Sequence, residues 1–193
     1  MPNDDIAFTM ICPSLENFPR YELPPGYHFR AYQPSDDRIW TEIQLAAEPF
    51  IKFDDTMFSK EFGDRLAALA DRMFFVETEA GRAIGSITAW WDTDWRNSGE
   101  WGRIHWVVVH PAYQRRGLTK PMMTHAMRRL AQSHQRAVLG TSSGRPWAVK
   151  VYLDFGFTPD PTELSDPKIY GAWQQVESVI QHPVLAELVI GSS

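Results

Sequence analysis

The chain of 193 residues has a single cysteine, Cys12, so an internal disulfide is excluded and a covalent cysteine mechanism has one poor candidate near the N-terminus. So little cysteine fits a reducing, cytoplasmic setting. No apolar run approaches the ~20 residues that cross a bilayer. The opening MPNDDIAFTM carries early acids and lacks the basic stretch of a secretory leader, so neither a membrane nor an export role is expected. Positive charge is also in deficit: 19 Lys and Arg stand against 24 Asp and Glu, a net charge of −5. That argues against a nucleic-acid partner bound by phosphate neutralisation. The chain has no GxxxxGK[ST] loop and no GxGxxG turn, and it shows no internal repeat or low-complexity tract.

What remains is ample core material. Hydrophobic residues make up 44% of the chain and aromatics 13%, enough for one sizeable domain. Residues 1–25 hold five prolines without sustained periodicity and are expected to be an extended lead-in to a single domain over residues 26–193. YHFRAY alternates like a strand, residues 39–47 read as a helix stopping before Pro49, and residues 59–72 read as a second helix. In that second helix Phe62, Leu66 and Leu69, with Met73 beyond it, share a face. MFFVET and RAIGSITAWW form a hairpin around Gly81. RIHWVVV is apolar at nearly every position, as in a central strand covered on both faces. Residues 118–135 then read as a helix starting near Thr119, because Pro121 is tolerated only in a first turn. AVLGT is a short buried strand, and a helix runs from Pro146 to Asp154 with Gly156 as its stop. Residues 169–190 fit strand or helix. The order predicts an α/β mixed sheet with helices on both faces.

The chemistry concentrates in VVVHPAYQRRGLT at 107–119, between a buried strand and a helix start. A helix N-terminus presents free N–H groups and partial positive charge. Gly117 lets the backbone curl close to a ligand, and Arg115 and Arg116 add charge toward the same anion. The stretch reads as a pyrophosphate cradle.

Two motifs carry a resemblance. Gln114 and Gly117, after Val109-His110-Pro111, resemble motif A of the GNAT N-acetyltransferase superfamily, [QR]-x-x-G-x-[GA] following V-x-P. Ala148, Tyr152, Gly156 and Phe157 fall in register with its motif B, A-x-x-x-Y-x-x-x-G-F. Thr119 stands where the family has Gly or Ala, and its hydroxyl is expected to cap the helix. Arg145 stands where the family often has Asn.

The resemblance implies the acyl-CoA N-acyltransferase fold, a mostly antiparallel central sheet with one splayed parallel pair. It implies direct transfer of an acetyl group from acetyl-CoA to a primary amine, with no metal required. Val107, Val108 and Val109 would line the pantetheine arm, and Gln114, Arg115, Arg116, Gly117, Leu118, Thr119 and Lys120 would hold the pyrophosphate. Tyr152 would donate a proton to the leaving thiolate. His105 occupies a position where many members carry a catalytic Glu, and by strand alternation it shares a face with Val107 and Val109. Glu100 is a rival base. Trp90, Trp91, Trp95 and Trp101, close in sequence to Asp92, Asp94 and Glu100, are candidates to receive an ammonium group. A small-molecule amine is the expected partner, and a homodimer through residues 184–190 is a further expectation. A peptide acceptor and a non-catalytic acyl-CoA-binding module are the alternatives.

Overall fold

The computed structural model describes residues 5–47, 49–54, 56–63 and 65–190, leaving aside the side chains of 188–190. The chain forms two compact units, one of residues 20–134 and one combining residues 5–19 with 135–190.

The first unit is built on four antiparallel strands in the order β2 (Tyr27–Ala31), β3 (Met73–Thr78), β4 (Ala83–Asp92) and β5 (Trp101–Val109). The expected hairpin turn is present, with Gly81 at φ 74°. One face of this sheet packs against α1 (Asp37–Ala47) and α2 (Met57–Phe62), around Trp40, Ile43, Phe62, Met73, Phe75, Trp90 and Val108. The opposite face packs against α4 (Thr119–Leu130), whose Met122, Met123, Ala126, Met127 and Leu130 are fully buried. Helices therefore cover both faces of this sheet. Here Gly85 permits the closest approach: a Cβ on it would lie 2.8 Å from the Val108 carbonyl oxygen.

The helix expected over residues 59–72 is two helices, α2 and α3 (Leu66–Arg72), because the chain breaks at Gly63, with φ 52° and ψ −133°. No L-residue reaches that conformation cheaply. The break also rotates α3, so Phe62, Leu69 and Met73 are buried while Leu66 is 45% exposed and leaves the predicted face.

The other unit pairs β1 (Ala7–Cys12) antiparallel with both β6 (Ala137–Ser142) and β7 (Thr158–Pro159). Part of the expected extended lead-in is thus a sheet strand, with Phe8, Met10 and Cys12 buried on alternate positions. Phe8 packs on Trp173 with centroids 4.0 Å apart. Pro146 opens α5 (Pro146–Asp154), and Gly156 ends it at φ 85°. The ambiguous C-terminal stretch is helical, as α6 (Pro167–Ile180) and α7 (Pro183–Ile190). In α7 Leu185 is buried; the rest of the apolar run expected at a dimer interface ends outside the described side chains.

Candidate active site

The loop leaving β5 is folded by its own residues. The Gln114 side chain donates through Nε2 to the Val109 carbonyl, 3.0 Å away, tying the loop back to the strand end. His110 caps the short turn that follows, its Nδ1 accepting from the Ala112 N–H at 3.3 Å, which is a structural role. Arg116 donates to the Tyr27 hydroxyl and to the Ala112 carbonyl, both at 3.1 Å, and lies 4.8 Å above the Tyr113 ring. Arg116 therefore braces the loop. The Arg115 guanidinium makes no hydrogen bond or ion pair among the described residues, so of the two arginines it is the free one.

Arg115 at φ 61° and Gly117 at φ 76° both turn left-handed just before α4. The backbone N–H groups of Arg115, Arg116, Gly117 and Leu118 make no hydrogen bond among the described residues. Helix α4 begins without a side-chain cap, and its N-cap is Leu118. Thr119 is the first helical residue, so the capping role expected of its hydroxyl is not filled. A run of unpaired N–H groups ahead of an uncapped helix is a concave anion receptor. A side chain at Gly117 would meet no heavy atom within 4 Å, so the space over the turn is open. These residues fit the pyrophosphate of a CoA thioester. Lys120, the second residue of α4, has its ammonium 5.1 Å from the Tyr21 ring.

Midway along β5 the strand is irregular. Thr88 of β4 pairs with His105 and Ser86 pairs with Val108, so one extra residue is accommodated in β5. The bulge centres on Trp106, at φ 48°, a region costly for a bulky side chain. The expected sharing of a face by His105, Val107 and Val109 is therefore wrong. The bulge resets the alternation, placing His105 with Val108 on the α1–α2 face, while Val109 meets the α4 side near Gly85.

On that face the His105 ring is met by Glu61 of α2. One oxygen, Glu61 Oε2, lies 2.9 Å from His105 Nε2 and 2.9 Å from Trp106 Nε1. The hydrogen bond from His105 holds the Glu61 carboxyl below the usual carboxylate range, against the opposing effect of its burial. Burial pushes His105 below the usual imidazole range, outweighing the hydrogen bond to Glu61. The pair is therefore an ionised carboxylate beside a neutral imidazole near pH 7. Glu61 was not legible as a site residue: it lies 44 residues from His105 in a short helix, and nothing in local spacing links them. The rival base Glu100 is instead held by His134, its Oε1 3.2 Å from Nδ1, just before β5 begins.

The tryptophans of β4, β5 and the turn between them pack within the protein itself. Trp91 is covered by Arg72 at 4.4 Å and Arg65 at 5.3 Å, and Trp95 by Arg96 at 5.0 Å. Trp90 and Trp101 are buried.

Tyr152 lies in the other unit, on α5, with its ring buried. Burial drives its phenol up to about 12, Arg145 opposing slightly. Its hydroxyl makes no hydrogen bond among the described residues. Arg145, at the N-cap of α5, bonds the Ser142 hydroxyl at 2.5 Å and pairs with Asp5 at 3.7 Å.

The profile of the acetyltransferase (GNAT) family matches residues 37–157, well over half of the chain. The chain belongs to the GNAT acetyltransferase family. Its mixed α/β fold is shared with a GCN5-related N-acetyltransferase from Sphaerobacter thermophilus, at TM-score 0.67 and 16% identity, over 81% of this chain and 49% of that one. It is also shared with a GNAT acetyltransferase from Colwellia psychrerythraea, at 0.62 and 11%, over 81% and 54%. The ribosomal-protein-S18-alanine N-acetyltransferase of Escherichia coli matches at 0.55 and 19%, over 68% and 77%. The chain spans about half the length of the first two. No curated protein matches the sequence significantly. Among the described residues no helix is long and apolar enough to cross a membrane.

Proposed function

We propose that this GNAT member is an N-acetyltransferase that moves an acetyl group from acetyl-CoA to the primary amine of a small molecule. The observation that carries the reading is the run of unpaired N–H groups from Arg115 to Leu118 ahead of an uncapped α4. It is an anion receptor in the position where motif A requires one. The backbone of residues 115–119, the free Arg115 and Lys120 would hold the diphosphate, and Val107, Val108 and Val109 would line the pantetheine arm. Bound there, acetyl-CoA supplies an acyl thioester open to attack by an amine.

The chain's own residues then handle protons. An acceptor amine arrives largely as ammonium and must lose a proton before its lone pair can attack. His105 is neutral near pH 7 and accepts that proton, which makes it a better base than Glu100, already engaged by His134. The family resemblance assigns the proton for the departing thiolate to Tyr152, whose buried phenol, pushed up to about 12, keeps its proton throughout the neutral range.

Steady-state assays of thiol release on a panel of amines test the roles. His105→Gln and Tyr152→Phe are each expected to lower kcat by roughly a hundredfold or more, the scale of general acid–base catalysis. Acetyl-CoA binding should stay near the wild-type value. Full activity in either variant removes that residue from the mechanism. Absence of turnover with every amine, despite tight acetyl-CoA binding, favours a non-catalytic binding module or a peptide acceptor.

A further inference from the structure

We infer that Glu61 is the positioning residue of the catalytic histidine, fixing the His105 ring so that Nδ1 is the atom that takes the proton from the acceptor amine. The inference rests on the reading of His105 as the base. Three observations carry it. First, His105 and Trp106 are adjacent in β5, yet both ring N–H groups reach the same oxygen of Glu61, each at 2.9 Å. On a regular strand consecutive side chains point to opposite faces, so two neighbours cannot share one acceptor. The bulge, with Trp106 held at φ 48°, is what turns them to the same side.

Second, the tautomer follows from the partner. A neutral imidazole has one N–H and one lone pair, and an ionised carboxylate only accepts. With Nε2–H donated to Glu61, the lone pair is on Nδ1, which makes no hydrogen bond among the described residues. Third, Glu61 Oε2 is already occupied by two donors, and the carboxyl is acidified by them. Glu61 is thus a poor base and a good orienting group.

The charges that bear on the ring are few. Glu61 approaches from α2 and Arg103 from two residues earlier in β5. Thr88, opposite on β4, and Phe62 of α2, whose ring is 5.9 Å away, are uncharged. Removing the Glu61 charge therefore removes the one influence among the described residues that favours the imidazolium, leaving Arg103 and burial, which both oppose it.

The test has two parts. Nitrogen-15 NMR of the imidazole rings in the wild-type protein, assigned with His105→Gln, is expected to show the Nε2–H tautomer for His105 at pH 7; an Nδ1–H tautomer overturns the inference without any activity assay. In kinetics, Glu61→Gln is expected to lower kcat by on the order of ten- to a hundredfold, the scale seen when a partner orienting the second nitrogen of a metal-bound histidine is lost. The KM for the amine should hold, and the acid limb of kcat/KM should move to lower pH. A limb that stays in place with unchanged kcat makes Glu61 merely structural, and a rise in KM alone makes it a binding group for the ammonium. Either overturns the proposal. If His105→Gln itself keeps full activity, the reading of the base fails, and the positioning role falls with it.

Discussion

His125 of α4 sits between two rings, 4.2 Å from Phe29 and 4.3 Å from Phe74, and this apolar slot sets its protonation. Burial lowers its pKa, and Arg128 pushes in the same direction. The unfolded chain titrates near ~6.5, so as pH falls through that value the unfolded state takes up the proton first. Stability is then intact above pH ~6.5 and is lost as pH falls toward the depressed folded pKa. His134, buried and likewise lowered by burial, adds to the same slope. Thermal melts from pH 7 to pH 5 are expected to show a falling Tm in the wild type and a shallower fall in His125→Leu. Equal slopes in the two proteins would assign the acid sensitivity elsewhere.

At the scale of elements, β5 decides how the site is built. It lies so close to β4 at Gly85 that a Cβ there would meet the Val108 carbonyl at 2.8 Å. Gly85→Val is therefore expected to destabilise the protein by about 1–3 kcal/mol, the usual cost of overpacking. Chemical denaturation measures it, and an unchanged midpoint would mean the two strands can part without cost. Local patterns made much of this unit legible: the β3–β4 hairpin from its glycine turn and α4 from its four-residue spacing and Pro121. The bulge was not legible, because an unbroken apolar WVVV run hides a reset in alternation that only pairing with β4 reveals. The break at Gly63 was missed for a different reason, since an apolar period of three to four residues continued across it. For β1 the signal was present, in Phe8, Met10 and Cys12 on alternate positions, but the surrounding prolines outweighed it.

Over the whole chain, the proposed anion-binding half of the site is made of contiguous residues, which is why motif A and its loop were readable. The proposed proton-handling half joins positions far apart in sequence, Glu61 with His105 and Trp106, and only folding brings them together. On the proposed reading the cradle at Arg115 to Lys120 binds the acyl donor. Calorimetric titration of the purified protein with acetyl-CoA, beside a Gly117→Glu variant whose fold is checked by its thermal melt, tests it most directly. Gly117 sits at φ 76°, where a side chain is strained, and a carboxylate there opposes the diphosphate. Saturable one-to-one binding by the wild type and at least a hundredfold loss in a folded variant are expected. No binding by the wild type, or equal binding by both, would contradict it.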